Sequence, residues 1–184
     1  MSDFQTVIET LTDLETENFC ENDGIALRAP DIHSYLTRIC YNRRSRMDPL
    51  YNQFVIAGVV QSKEEEEKKV EQDFYLGYTD LYGTTFVDNY VATGIGGHIA
   101  LPLLRKYYDE NMTIQQAKKV LEDAMRVLYY RDCRSINKII FAKVTREGGV
   151  EIEAPVSLET NWDMREINPV PAHLKVEKDE EKTE

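Results

Sequence analysis

Residues able to do chemistry are few and scattered in this chain of 184 residues. Thr93-Gly94-Ile95-Gly96-Gly97 precedes an apolar helical face, and a glycine-rich turn entering a helix can cradle phosphate on free backbone donors. A dinucleotide fingerprint would want a third glycine where Ile99 stands, and no P-loop lysine-hydroxyl pair follows, so close backbone packing is the better account. Arg43, Arg44 and Arg46 could form a phosphate cluster, but they fall where a helix ends, and cations suit the negative end of its dipole. His33, His98 and His173 have no spaced metal partners and no matched nucleophile; they read as surface or satisfied core histidines. Cys20, Cys40 and Cys133 are odd in number and contain no Cys-x-x-Cys, which predicts reduced, mostly packing cysteines rather than a disulfide framework or a metal site. No cofactor and no metal are expected.

Charge narrows the partners. The formal net charge of −11 argues against a nucleic-acid binder, which needs a basic stripe to neutralise phosphates, and against adhesion to an anionic membrane face. Protein partners are expected instead. No apolar run approaches a membrane span and the amino terminus has no signal-peptide core, so the expectation is a soluble, intracellular protein.

The elements that must position these residues follow from periodicity. Phe4, Val7, Ile8, Leu11 and Leu14 mark a first helix, with Ser2 as its cap, and Pro30 opens a second whose apolar face is Ile32, Tyr35, Leu36, Ile39 and Cys40. Phe54 to Val60, Phe74 to Thr79 and a short run at Thr84 to Val87 read as strands, the first two joined by an acidic, solvated loop at 62–71. A helical face at Ile99, Ala100, Leu103, Leu104 and Tyr107 contains Pro102, which predicts a late start or a kink. Thr113 with Gln116 forms a capping box for the longest helix, where Ile114, Ala117, Leu121, Ala124 and Leu128 make one face; Ile136 to Thr145 then suits a single strand. A hairpin is expected between Lys138–Thr145 and Val150–Ala154, with regular pattern ending at Pro155. The domain is read as residues 1–157, followed at 158–184 by an extension that is partly disordered when alone. Trp162, the only tryptophan, reads as an interface anchor in that extension. Helix, helix, strands, helix, helix, strands contains no strand-helix alternation, so an α+β fold of helices outside packed antiparallel sheets is predicted.

Several segments carry a resemblance: Ile32 to Arg38, Tyr41 to Ser45, Leu76 to Gly83, Leu103 to Arg105, Met125 to Ser135 and Glu159 to Asp163. Over residues 2 to about 164 the chain resembles the β-type subunits of the proteasome core particle, and Arg126 to Ser135 with the Trp162 segment resembles the non-catalytic member at the seventh β position. The resemblance implies the N-terminal-nucleophile hydrolase fold, a four-layer αββα sandwich, here N-terminally truncated because the chain starts at the family's first helix. Family members attack the peptide carbonyl with an N-terminal threonine whose amine handles the proton. Of that catalytic set only Asp132 and Ser135 match by motif; the threonine has no counterpart, and Gly97 stands about where catalytic members carry a supporting serine. Removal of Met1 would give Ser2 a free amine, but Ser2 sits where a helix cap is needed.

The expected function is therefore a non-catalytic structural β subunit, supporting ring assembly and the ATP- and ubiquitin-dependent protein degradation performed by the complex. It would not be an enzyme in itself, and the resemblance implies a cytoplasmic and nuclear location. Its implied partners are the other α and β subunits, with the opposite β ring reached through the C-terminal extension and Glu159, Thr160, Asn161, Trp162 and Asp163 at the interface. The alternative is a threonine-type endopeptidase subunit whose nucleophile segment is missing; a third reading is a free-standing module that binds a basic protein through the acidic loop. Without opening strands each sheet would be short and one edge open, so exposed apolar surface is also expected.

Overall fold

The computed structural model describes residues 2–59 and 74–162. The acidic loop at 62–71, His173, Asp163 and the extension beyond it lie outside the described residues.

Helix α1 spans Asp3–Glu21, and the Ser2 hydroxyl caps it by accepting the Gln5 N–H at 3.3 Å. Helix α2 spans Ala29–Ser45 with Pro30 in its first turn; the Asp31 carboxylate accepts the Arg28 N–H at 3.0 Å. Its end is closed as its charges predict, with Arg43 paired to Asp48 at 3.0 Å and the Arg44 guanidinium over the Tyr41 ring at 5.8 Å. Val7 of α1, Leu36 and Cys40 of α2, Leu50 and Phe54 form one buried cluster that binds the two helices to the first sheet.

That sheet has three antiparallel strands in the order β1 (Phe54–Val59), β2 (Phe74–Thr79), β3 (Thr85–Val87). Phe54 lies opposite Thr79, and Gly77 opposite Val87. Helix α2 approaches so closely that a Cβ on Gly77 would stand 2.6 Å from His33 Nδ1; only glycine leaves room there. The turn from β2 to β3 is closed by the Asp80 carboxylate, which accepts the Tyr82 and Thr84 N–H groups at 2.9 and 2.8 Å, with Gly83 at φ 79°.

Helices α3 (Gly96–Tyr107) and α4 (Ile114–Arg131) pack together through Ala100, Leu104 and Ala124, flanked by Leu103, Val120 and Leu128. The late start expected from Pro102 is not found: α3 begins at Gly96 and runs through the proline. The carbonyl that loses its bond belongs to His98, and His98 and Pro102 both lie on the exposed face, where water can satisfy it. The capping box of α4 forms as expected, with Gln116 N–H on the Thr113 hydroxyl at 3.3 Å and Thr113 N–H on the Gln116 carboxamide at 2.8 Å.

The single strand expected over 136–145 is two strands. Lys138–Ile139 (β4) pairs with Val156–Ser157 (β7), and Ala142–Thr145 (β5) pairs with Gly149–Ile152 (β6). Ile139 faces Val156 whereas Ala142 faces Ile152, so the returning side carries one extra residue within Glu153-Ala154-Pro155. Proline has no N–H for the ladder, and a bulge beside it restores pairing one residue out of step. Strand pattern thus resumes after Pro155, where it was expected to stop. Large apolar side chains remain exposed on these ladders, Ile136 and Ile152 each at 72%, as the sequence led us to expect.

Candidate functional site

The residues singled out as a site converge at the C-terminal end of α4, because the chain leaving β7 returns to that helix. Leu158 is buried, and its N–H meets the Asn137 carbonyl at 3.3 Å. Arg126, one turn back along α4, donates from Nε to the Glu159 carbonyl at 2.9 Å while its guanidinium pairs with Glu122 and Asp123 at 2.9 and 2.6 Å. The Asn161 N–H meets the Tyr130 hydroxyl at 2.7 Å. Trp162 then sits edge-on to Tyr130 at 4.8 Å and to Tyr129 at 5.8 Å between ring centroids, the geometry that the ring quadrupoles prefer. Its ring is nevertheless 60% exposed. Residues 158–162 are therefore a strap fastened to α4, and their outward surface is Glu159, Asn161 and Trp162, with Thr160 half-buried.

Asp132 and Ser135 lie next to the strap and turn the chain out of α4. The Asp132 N–H closes the helix on the Leu128 carbonyl at 2.8 Å, and its carboxylate accepts the Arg134 N–H at 2.9 Å. The Ser135 hydroxyl donates to the Asp132 carbonyl at 2.7 Å. A nucleophilic hydroxyl gives its proton to a base. Here that proton is held by a backbone carbonyl and the neighbouring carboxylate caps a turn, so the pair is arranged to close a corner. Asn137 Oδ1, buried without a hydrogen-bond partner, is an unpaid polar group of the same corner.

The remaining candidates resolve on geometry. In the glycine-rich turn, the Gly94 N–H is taken by Gln53 at 2.6 Å, that of Gly96 by the Thr93 carbonyl at 3.1 Å and that of Gly97 by the Gly94 carbonyl at 3.2 Å. No free donor is left there for a phosphate, and Gly96 is buried near Leu128. His98 is exposed and His33 is a satisfied core histidine. The Tyr78 carbonyl, 2.9 Å from His33 Nε2, can only accept, so Nε2 carries the proton; Thr85 Oγ1 lies 2.7 Å from the same nitrogen. In this tautomer Nδ1 accepts from the Tyr75 hydroxyl, and one ring joins α2 to β2 and β3. Cys40 packs with its side chain wholly buried, and burial first, then the Asp80 charge, push its thiol pKa up. Cys20 and Cys133 correct the expectation of mostly packing cysteines, since both are exposed.

Sequence reasoning missed the holders of the strap. Arg126 falls on the polar side of the α4 pattern and Tyr130 at its end, and nothing in helical periodicity says that either reaches a segment some thirty residues on. No helix among the described residues is long and apolar enough to cross a membrane.

Comparison with known proteins places this geometry in context. The family profile described as Proteasome subunit matches residues 2–144. Proteasome subunit beta type-4 of Dictyostelium discoideum is 44% identical over 168 residues, covering 90% of this chain and 61% of that protein. Its namesake in Arabidopsis thaliana is 40% identical over 163 residues, with 89% and 62% covered, and proteasome subunit beta type-7 of Saccharomyces cerevisiae is 36% identical over 173 residues, with 89% and 62% covered. The chain thus spans about three fifths of the length of these curated relatives.

Proposed function

Because this chain belongs to the proteasome β-subunit family, we propose that it serves as a non-catalytic structural β subunit of the proteasome core particle, contributing to ring assembly and so to ATP- and ubiquitin-dependent protein degradation in cytoplasm and nucleus. Its helices and ladders belong, in this reading, to the four-layer αββα sandwich of N-terminal-nucleophile hydrolases. The seating of α2 on β1 and β2, and the approach of β5 to β1, support that arrangement. The observation that carries the non-catalytic role is the corner itself: the Ser135 proton is held by the Asp132 carbonyl and the Asp132 carboxylate by the Arg134 N–H. Neither group is aimed at a substrate.

The partners are other α and β subunits, and the surface offered to them includes Glu159, Thr160, Asn161 and Trp162, with Asp163 continuing it. Apolar anchors such as a half-exposed tryptophan concentrate binding energy when a partner desolvates them. From there the extension reaches the opposite β ring. An epitope-tagged copy expressed in its own cells should migrate on native gels with a very large assembly, and deletion of residues 159–184 should weaken its incorporation. Migration as a small monomer would refute the assembly role. Cleavage of a fluorogenic peptide by the purified chain, abolished by Asp132→Ala with Ser135→Ala, would refute the non-catalytic one.

A further inference from the structure

The amino-terminal helix is electrically unbalanced. Seven acidic residues and no lysine, arginine or histidine precede Arg28. The last turn of α1 holds no basic residue either, so the negative end of its dipole is uncompensated and Glu21 and Asp23 add to it. Beside that end runs an open cavity of about 920 Å³ between α1 and the 22–27 loop. Its apolar walls are Ile8, Leu11 and Phe19 from the helix and Ile25 and Leu27 from the loop, with Glu15 set one turn before Phe19.

The groove is built, since the loop is fastened to the helix. The Asn18 carboxamide donates to the Ile25 carbonyl at 2.9 Å, and the Asp23 carboxylate accepts the Ile25 N–H at 2.8 Å. Left-handed Asn22 and Gly24, at φ 48° and 76°, make the reversal. Yet Phe19 is 82% exposed, large apolar area held open to water on a structured wall. Charge decides what could cover it. A second copy of this chain would bring another −11 against the same rim, whereas a cationic segment would be drawn in and held in register.

We propose that this groove docks a cationic amphipathic segment of a partner protein, with apolar side chains on Phe19 and Ile25 and lysine or arginine reaching Glu15, Glu21 and the carboxyl end of α1. The inference goes beyond the subunit role and does not rest on it. The test is fluorescence anisotropy of a labelled helical peptide of leucine and lysine titrated with the full chain, beside a twin peptide carrying glutamate for lysine. The lysine peptide should bind, more weakly as salt shortens the Debye length, and the twin should not. Glu15→Lys and Phe19→Ala should each weaken binding about fivefold or more, the scale of an interface residue whose loss exceeds ~1 kcal/mol. Glu110→Lys, on the exposed turn between α3 and α4, should leave it within about twofold. Equal loss in Glu110→Lys and Glu15→Lys would mean general attraction to an acidic protein and overturn the proposal. Binding of the glutamate twin would overturn it, as would a Phe19→Ala effect confined to self-association.

Discussion

Trp162 is the only tryptophan in the chain, so its emission reports directly on the strap at 158–162. Two exposed hydrogen bonds, Arg126 to the Glu159 carbonyl and Asn161 to Tyr130, and two edge-on ring contacts hold that strap. Taking about 0.75 kcal/mol for each exposed hydrogen bond and about 0.5 for each ring pair, closure is worth roughly 2.5 kcal/mol. That is a closed-to-open ratio of about sixty. Tyr130→Phe removes one hydroxyl while keeping the ring, and raises the open fraction only to about one part in twenty. Adding Arg126→Met, which keeps the aliphatic stem, leaves roughly 1 kcal/mol and an open fraction of about one in six. The ion pairs lost with the guanidinium lie at the surface and add little. Acrylamide quenching and tryptophan anisotropy should therefore barely change in the single variant and change clearly in the double. Full quenching in Tyr130→Phe alone, or a double variant indistinguishable from the parent, would refute this accounting.

Replacing His33 by Phe should cost roughly 2–3 kcal/mol, because the Tyr78 carbonyl is left without its ring donor inside the structure; a lower urea midpoint with an unchanged slope is the readout. Native-state alkylation followed by mass spectrometry should label Cys20 and Cys133 rapidly and Cys40 only after unfolding, since Cys40 is both buried and raised in pKa. Stability should fall in alkali: burial raises Cys40 above its ordinary 9.0, and likewise raises Tyr75 and Tyr78 above their ordinary 10.0. In each case the unfolded chain ionises first, so the contribution is whole below the ordinary value and is lost as pH rises through the raised one. Urea midpoints compared at about pH 7 and about pH 10 check this, and an unchanged midpoint would contradict it.

How far the sequence could be read depends on where each determinant lies. The Ser2 cap, the Thr113–Gln116 box, Pro30 and the strand Phe74–Thr79 are local: the residues that decide them lie within a turn or a pleat, and the structure has them where expected. Pro102 misled because its penalty depends on whether the His98 carbonyl can find water, which is a matter of the face it lies on rather than of the proline. The break after Ile139 was invisible for a related reason. Residues 139–142 alternate as one strand should, and only the partner side, with Pro155 unable to donate, shifts the register by one. The candidate site divides in the same way. Asp132 and Ser135 form a corner three residues long, legible as a charged helix end, while the strap depends on Arg126 and Tyr130 meeting residues about thirty positions away. A tryptophan outside a periodic element announces that it has something to bind, but the chain cannot say which helix presents it. That needs the bulge at Pro155 to aim the returning strand, so the least legible feature of the fold is the one that positions its most exposed aromatic surface.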